Sequence, residues 1–362
     1  MTIGTCVSEK GKIRRGELCV AVDPVAGPIR IPVAIANGIE DGPTAFVTAG
    51  VHGDEVNGIA VVQRFLGDLD PKVLRGTIIS LPLINTAGFG ARQRTVLSDG
   101  RDLNRCFPGD PSGSVSEQIA HSIFSEVIAR CDFGVDVHDS GRDSVLLPHP
   151  RAHIRNDSGG YDRSRMKEIA AFGTDIIMLC RGMEGVMTIE AGRHLGIPAF
   201  TVEVGGAMIL WEEFIHLGVA GLRNLLVHRG MLEAKMVLPA HQYVLPGEDD
   251  IAIKAPMEGV LRTKVLLGQA VSGGDDLAEI CDPITGESQE IVADVCGVVH
   301  DLNVHGKVDE GDDVVGVLAF TKCPQRGMRP TSEHVEVLDI EASDRVELRP
   351  SEVFEKALAL SF

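Results

Sequence analysis

A histidine, a glutamate and a second, distant histidine give the clearest chemical signal in the sequence. His52 and Glu55 lie three residues apart, between the apolar run AFVTAGV and the stretch VNGIAVVQRFL, which has helical periodicity. With Glu55 in the first turn of that helix, both side chains would be neighbours, and one metal ion could contact them. His138 ends another apolar run, FGVDVH. Because two histidines and one glutamate form a common catalytic zinc set with a fourth position open to water, we predict one Zn²⁺ per chain.

The positions of these residues matter more than the short motif, since a histidine and a glutamate at this spacing often occur together by chance. His52, His138 and Glu203 all lie at or near the ends of β-rich runs. Open α/β sheets place their sites at the carboxyl ends of their strands. The three positions therefore favour one functional site.

Glu203 is an acidic residue inside the apolar run AFTVEVGG. A buried carboxylate is rarely structural unless it is paired. Beside a zinc ion, a glutamate can accept a proton from the bound water and pass it to a leaving amine. We therefore predict that Glu203 is the general base, with Glu190 as the next acidic candidate.

An arginine-rich segment, AGFGARQRTVLSDGRDLNRCFPG (87–109), stands out in an otherwise acidic chain. It contains Arg92, Arg94, Arg101 and Arg105 and ends in a Phe-Pro-Gly turn, which indicates a structured loop. The planar fork of arginine can bind a carboxylate through two hydrogen bonds and stays charged at any relevant pH. The segment is therefore predicted to contact an anionic substrate.

From about residue 30 to 230, β-rich and amphipathic runs alternate as is typical of an α/β domain, and we place the catalytic domain at residues 1–240. Predicted buried strands cover residues 45–51, 77–84, 133–138, 175–180 and 199–204. Ser114 and Glu117 form the S-x-x-E pattern of a capping box before a run with apolar residues at helical spacing. These elements predict a mixed sheet flanked by helices.

Residues 241–330 have a different character, with short β runs separated by Gly and Asp, and residues 331–362 form a C-terminal extension. The segments 255–261 and 268–280 are echoed by 293–299 and 306–317. Two such halves resemble the β barrel-sandwich domain of biotinyl and lipoyl carriers. A carrier needs a lysine in the hairpin between the halves, and residues 281–291 contain none. We therefore expect a relative of that domain with a lysine-free hairpin.

The amino-acid composition limits the classes of molecule that this protein is expected to bind. The 362 residues are 44% hydrophobic and 24% charged, which is typical of a globular protein. A net charge of -18 disfavours binding to nucleic acid or to an anionic membrane, and so favours a small-molecule substrate. No apolar run is long enough to span a membrane, and the N-terminal residues lack a continuous apolar core, so we expect a cytoplasmic protein. A homo-oligomer stays an open alternative.

The motifs GVHGDEVNG, LPLINTAGF, DGRDLNRCFPG, VDVHDS and PAFTVEVGG, in this order, resemble the succinylglutamate desuccinylase and aspartoacylase family, which is similar in fold to the zinc carboxypeptidases. The resemblance covers residues 30–325 and includes the barrel domain. It implies that His52, Glu55 and His138 are the zinc ligands and that Glu203 is the general base.

The same resemblance assigns roles in the arginine-rich segment. It implies that Asp102 orients His52, and that Asn104 and Arg105 hold the carboxylate of the substrate. It also implies an upstream arginine that polarises the scissile carbonyl. We assign this role to Arg94, with Arg92 and Arg101 as the alternatives.

The function that the resemblance implies is hydrolysis of the amide bond of a small N-acyl amino acid by a zinc-activated water. Two alternatives stay open: a zinc carboxypeptidase that acts on a small peptide, and a non-catalytic zinc-binding protein. His149 and His153 have the spacing of metal ligands, but we interpret them as surface or substrate-side residues.

Overall fold

The computed structural model describes residues 1–25, 27–154, 163–247, 250–320, 322, 336–339 and 346–349. Most of the expected extension, 331–362, lies outside these described residues. The helices are α1 (Val56–Asp68), α2 (Thr86–Ala91), α3 (Val115–Glu126), α4 (Arg163–Ala171), α5 (Met187–Leu195) and α6 (Glu212–His228), with 3-10 turns at Leu103–Arg105 and Ile128–Arg130. The strands of the N-terminal two thirds are β1 (Thr2–Ile3), β2 (Cys6–Val7), β3 (Lys12–Asp23), β4 (Gly27–Asn37), β5 (Glu40–Ala49), β6 (Arg75–Leu81), β7 (Phe133–His138), β8 (Ser144–Ile154), β9 (Ile176–Arg181), β10 (Ala199–Gly206), β11 (Met236–Pro239) and β12 (His241–Pro246). The later strands are β13 (Asp250–Lys254), β14 (Gly259–Thr263), β15 (Ala270–Val271), β16 (Asp276–Cys281), β17 (Ser288–Val292), β18 (Gly297–Asn303), β19 (Lys307–Val308), β20 (Asp313–Ala319), β21 (Glu336–Asp339) and β22 (Val346–Arg349).

One large mixed sheet organises the molecule, in the order β13-β20-β18-β8-β10-β7-β5-β6-β4-β3. Its centre is parallel, since β5 pairs in parallel with both β6 and β7, and β7 pairs in parallel with β10. Strand β8 then joins antiparallel to β10 and also parallel to β9. The carboxyl ends of β5, β7 and β10 therefore meet at one edge of the sheet.

Helices cover both faces of this sheet, as the sequence predicts. Helices α1 and α6 contribute Ile59, Val62 and Ile215 to the core on one face. Helices α3 and α5 contribute Ile119 and Met187 to the core on the other. Burial of apolar surface on both faces fixes the parallel centre of the sheet between two helical layers.

The predicted strands and the capped helix are present, with small shifts at their ends. Ser114 accepts a hydrogen bond from the Glu117 backbone N–H, and the Glu117 carboxylate accepts one from the Ser114 backbone N–H. Helix α3 thus starts with the expected capping box.

The C-terminal strands form two sheets around one apolar core that includes Leu261, Ile280, Val299 and Val315. One sheet has the order β17-β16-β14-β19, and the other contains β13, β20 and β18. The second sheet is continuous with the main sheet, because β18 pairs antiparallel with β8. Sequence periodicity alone did not predict this shared sheet. Within the described ranges, no helix combines the length and the apolar character that crossing a membrane requires.

Candidate metal centre

Neighbouring parallel strands bring the two predicted histidines together. His138 is the last residue of β7, and His52 follows the carboxyl end of β5, whose Ala49 pairs with Val137 of β7. Helix α1 lies close to this edge, since a Cβ atom on its Gly58 would be 2.4 Å from the Val137 carbonyl oxygen. Only a glycine permits that approach of helix to strand.

Glu55 is the N-cap residue of α1, with φ -93° and ψ 78°, and not a residue of its first turn. The prediction that Glu55 lies in the first turn of this helix is therefore wrong. The reversal of the chain before the cap still directs Glu55 to both histidines. Its two carboxylate oxygens lie 2.5 Å from His52 Nδ1 and 2.7 Å from His138 Nδ1.

The three side chains form a compact buried cluster. One ligand atom from each of His52, Glu55 and His138 lies within 4.8 Å of the other two, and all three residues are buried. No other group of three such ligands is found in the part of the chain that the structure describes. His149 and His153 therefore take no part in a second cluster of this kind among the described residues.

A carboxylate contacts the Nε2 atom of each histidine. Asp102 Oδ1 is 3.0 Å from His52 Nε2, and Asp136 Oδ2 is 2.6 Å from His138 Nε2. Asp136 is itself held by the Thr48 hydroxyl, which donates to its other oxygen at 2.7 Å. Such partners fix the tautomer of a ligating histidine and leave its Nδ1 free for a metal.

The electrostatics of the cluster suit a cation. Burial disfavours charged imidazoles, yet Glu55 together with Asp102 raises the pKa of His52, and Asp136 together with Glu55 raises that of His138 well above its usual value. Burial also opposes ionisation of Glu55, but the two histidines lower its pKa. Two imidazole nitrogens and a carboxylate oxygen, with a further carboxylate in contact with each histidine, form a donor set that fits Zn²⁺. The same carboxylates stabilise positive charge on the cluster.

The arginines of the 87–109 segment occupy different environments. Arg94 Nη1 lies 3.2 Å from Glu55 Oε1, and its Nη2 lies 3.0 Å from Asp102 Oδ2. Arg101 instead contacts Ser114 and Glu117 at the start of α3. Arg92 is exposed at the end of α2, in a left-handed conformation. Of the three candidates, Arg94 is the one in contact with the histidine cluster.

Asn104 and Arg105 belong to a short 3-10 turn that starts at the Asp102 N-cap. Asn104 is buried, with its Nδ2 3.5 Å from His138 Nε2, and its Oδ1 accepts a hydrogen bond from the Met187 backbone. Arg105 Nη1 donates to the Asn104 carbonyl oxygen at 2.8 Å. Asn104 thus lies beside the cluster, and Arg105 follows it.

Gly185, which lies just before α5, packs against this 3-10 turn. Gly185 has φ +81°, and a Cβ atom there would lie 2.4 Å from the Arg105 carbonyl carbon. Its N–H donates to Glu190 Oε1 at 2.9 Å, and its carbonyl accepts from the Phe107 N–H. Glu190 also pairs with Arg193 and with His194. Glu190, the alternative candidate for the base, is thus engaged in the structure of this loop.

Glu203 lies directly opposite His138 in the parallel pairing of β10 with β7. It is 8% exposed, and its Oε1 lies 3.1 Å from Arg151 Nε, on β8. Burial opposes the charged form of Arg94, but Glu55, Asp102 and Glu203 raise its pKa, so Glu203 acts electrostatically on the same cluster. The structure therefore brings the predicted ligands, Arg94, Asn104 and Glu203 to one edge.

Three participants were not predicted from the sequence. Asp136 carried a usable signal, since it lies two residues before His138 and so shares its face of the strand. Arg151 and Gly185 carried none, because their positions depend on the pairing of β8 with β10 and on the packing of a loop against Arg105.

The fold and the cluster define an α/β protein with a candidate metal centre at the carboxyl edge of a mixed sheet. The profile of the succinylglutamate desuccinylase/aspartoacylase catalytic domain matches residues 41–229. The chain is 30% identical over 259 residues to N-alpha-acetyl-L-2,4-diaminobutyric acid deacetylase from Halomonas elongata, a match that covers 71% of this chain and 75% of the relative. The protein belongs to the succinylglutamate desuccinylase/aspartoacylase family, an enzyme family of deacylases.

Solved structures agree with this assignment. A succinylglutamate desuccinylase from Silicibacter sp. TM1040 has a TM-score of 0.75 and 28% identity, over 88% of this chain and 100% of that one. The product-bound ectoine utilization protein EutE (DoeB) from Ruegeria pomeroyi has a TM-score of 0.75 and 27% identity, over 87% and 100%. The mixed α/β fold predicted from the sequence is thus confirmed.

Proposed function

We propose that this protein is a zinc-dependent deacylase that hydrolyses the amide bond of a small N-acyl amino acid. The main support is the convergence of His52, Glu55 and His138 at the sheet edge that also carries Glu203. The 30% identical relative is a deacetylase of an N-acetylated amino acid, which favours the same bond type.

The proposed metal ligands are His52 and His138, through Nδ1, and the Glu55 carboxylate. When bound, Zn²⁺ would lower the pKa of a water ligand and polarise the scissile carbonyl. Asp102 and Asp136 keep a proton on each Nε2, so that both Nδ1 atoms present a lone pair to the metal.

The other residues of the site supply proton transfer and charge. Glu203 accepts the proton of the attacking water and delivers it to the leaving nitrogen. Arg94, which contacts Glu55 and Asp102, presents positive charge where negative charge develops on the carbonyl oxygen. Asn104 and Arg105 hold the carboxylate next to the scissile amide.

A substrate panel tests the proposal. Zinc-loaded protein is offered N-acetyl, N-succinyl and N-formyl amino acids, and dipeptides of the same residues. We expect release of a free amino acid from at least one acylated compound and slower release from the dipeptides. Cleavage of dipeptides alone would indicate a carboxypeptidase, and bound zinc without turnover of any compound would contradict an enzymatic function.

Replacing Arg105 with Lys is expected to raise KM for a carboxylate substrate by about tenfold, the order of one charged hydrogen bond, with a smaller change in kcat. The charge is kept, but the two-pronged contact of the guanidinium is lost. Steady-state kinetics measure the effect, and Arg262→Lys, at an exposed position of β14, is the control. An unchanged KM in the Arg105 variant would contradict a role for Arg105 in holding the substrate carboxylate.

Replacing Gly185 with Ala is expected to lower kcat/KM by about 100-fold, the order associated with a displacement of catalytic groups by 1 Å. The new Cβ would meet the Arg105 backbone, which must then shift together with Asn104. Gly196→Ala is the matched control, because Gly196 also has positive φ but no atom lies within 4 Å of its Cβ position. Equal activity of the two variants would contradict a positioning role for Gly185.

We further propose that residues 241–330 form a barrel-sandwich module, with no lysine in the hairpin between its halves, beside a carboxypeptidase-like catalytic domain, 1–240. Strands β16 and β17 form an antiparallel hairpin, and the residues of its turn, 282–287, include no lysine. The module would thus have no attachment point for biotin or lipoate and would border the entrance of the site.

A further inference from the structure

Helix α1 begins without a cap from the side chain of its own N-cap residue. That residue is Glu55, and its side chain makes no capping hydrogen bond to the first turn, whose residues the structure describes in full. An N-cap side chain ordinarily accepts a hydrogen bond from the second or third N–H of its helix. Both carboxylate oxygens of Glu55 are instead directed at the histidines of the metal cluster. The start of α1 therefore needs an acceptor from elsewhere in the chain.

Asp139, the residue directly after His138, supplies this acceptor. Its Oδ2 atom accepts hydrogen bonds from the Asn57 backbone N–H at 2.8 Å and from the Asn57 side-chain amide at 3.1 Å. Asn57 is the second residue of α1, so this oxygen takes the place of an N-cap acceptor. The Oδ1 atom accepts from the Gly141 N–H at 2.7 Å. Asp139 is 2% exposed and Asn57 is fully buried, so water has little access to these hydrogen bonds.

These hydrogen bonds connect two proposed metal ligands that are distant in the sequence. Asp139 is covalently joined to His138 at the end of β7, and it binds Asn57, two residues after Glu55. The close approach of Gly58 to β7 fixes the same end of the helix sideways. The position of the Glu55 backbone relative to His138 is therefore set by a backbone link on one side and by the Asp139 carboxylate on the other.

We propose that Asp139 is a positioning residue for the metal centre, which caps α1 in place of Glu55 and so leaves the Glu55 carboxylate to the metal ion. The inference rests on the proposed function, in which Glu55 is a zinc ligand. A buried N–H group without an acceptor costs free energy. Without Asp139, the free N–H of Asn57 would compete with zinc for the Glu55 carboxylate.

Helix α3 has the same kind of remote cap, away from the metal cluster. The Ser116 N–H, also the second of its helix, donates to Asp99 Oδ2 at 2.8 Å, and the Ser116 hydroxyl donates to Asp99 Oδ1 at 2.7 Å. The N-cap residue of α3, Ser114, caps the third N–H with its own side chain. The remote carboxylate thus adds to a side-chain cap in α3 and replaces one in α1. Asp99→Ala is therefore a matched control, which removes a remote cap without affecting a proposed ligand.

Asn57 provides a second control, because its side chain and its backbone N–H have different partners. Its Nδ2 atom also donates to the Ile209 carbonyl at 2.9 Å, and its Oδ1 atom accepts from the Trp211 N–H at 3.0 Å. Asn57→Ala removes these contacts from a buried position but keeps the N–H that Asp139 caps. The variant is therefore expected to lower Tm without drawing Glu55 away from the metal.

Zinc competition titrations and thermal unfolding of the metal-free protein test the proposal. We expect Asp139→Ala to bind zinc about tenfold more weakly than wild type, the lower end for loss of a group that orients a metal ligand. Asn57→Ala and Asp99→Ala should keep the zinc affinity of wild type, although each lowers Tm through lost hydrogen bonds at a helix start. Asp139→Asn keeps the volume and one acceptor oxygen, so it should fold even where Asp139→Ala does not.

The asparagine variant should bind zinc about threefold more weakly than wild type, as for partial loss of a cap. Wild-type zinc affinity in either Asp139 variant would overturn the proposal. An equal weakening in Asn57→Ala or Asp99→Ala would overturn it as well, because the effect would then follow the loss of stability and not the release of Glu55.

A crystal structure of metal-free Asp139→Ala separates this proposal from the proposed function. The Glu55 carboxylate is expected to turn from the histidines to the free N–H groups of the first turn of α1. This expectation is independent of turnover, so wild type that hydrolyses no acylated compound would contradict the proposed function alone. If the Glu55 carboxylate of the variant stayed in hydrogen-bond contact with both Nδ1 atoms, Asp139 would not be the group that positions it, and the proposal would be overturned.

Discussion

Replacing Glu203 with Gln is expected to lower turnover by about 100- to 10,000-fold, as for loss of a general base, with metal content and Tm near wild type. Glutamine keeps the size of the side chain and much of its hydrogen bonding, but it cannot accept the proton of the attacking water. Glu203 lies opposite His138 at the sheet edge and is not part of the three-residue ligand cluster. The variant should therefore bind zinc and fold normally.

Glu168→Gln is the matched control for this variant. Glu168 and Glu203 are both 8% exposed, and each is paired with an arginine, Arg229 or Arg151. The control loses the same charge from a similar environment on α4, so it should change Tm rather than turnover. Kinetics, metal analysis and thermal unfolding are measured for both variants.

Two outcomes would contradict the assignment of Glu203. Loss of zinc in Glu203→Gln would make Glu203 a metal ligand, and the proposed ligand set would be wrong. Near-normal turnover would require another base. Glu190 would then be the next acidic residue to test, although its carboxylate binds the Gly185 N–H and pairs with Arg193.

The sequence predicted that His52, Glu55 and His138 lie together because each of these residues has a local signal. His52 and His138 follow or end apolar runs, and the parallel centre of the sheet brings the ends of such runs together. Glu55 was predicted through helical spacing, whereas the structure places it at the N-cap. The three side chains still lie close together, because the segment from His52 to Glu55 is short and can turn back on itself.

The arginine-rich segment shows where prediction from the sequence reaches its limit. Arg92, Arg94 and Arg101 lie in a loop without periodicity, so spacing could not rank them. The structure separates them by tertiary contacts: Arg101 pairs with Glu117 of the α3 capping box, while Arg94 lies against Glu55. These contacts depend on how α3 packs, which no local pattern encodes.

The pairing of β8 was also beyond local patterns. This strand adds antiparallel to β10 and joins the C-terminal strands to the main sheet through β18. One register step in such a pairing moves every side chain to the opposite face. The position of Arg151 beside Glu203 is set by that register, so no sequence motif could have indicated it.

Replacing His138 with Ala is expected to reduce zinc from about one per chain to a small fraction and to abolish turnover, because two protein ligands do not complete a catalytic zinc site. Treatment of wild type with a chelator should have the same effect on turnover, and added zinc should restore wild type but not the variant. Metal analysis by mass spectrometry measures the first effect. His300→Ala is the control, since His300 is equally buried, 3% exposed, and lies 2.7 Å from a carboxylate oxygen, that of Asp250.

A milder change at the same histidine separates metal binding from packing. Asp136→Asn keeps the volume of the side chain but replaces the carboxylate that lies 2.6 Å from His138 Nε2. We expect zinc affinity to fall by about 10- to 100-fold, the usual effect of losing such a partner, while the fold is kept. A competition titration with a chromogenic chelator measures the change. If Asp136→Asn held zinc as tightly as wild type, or if His138→Ala kept a full equivalent, the cluster of His52, Glu55 and His138 would not be the metal site.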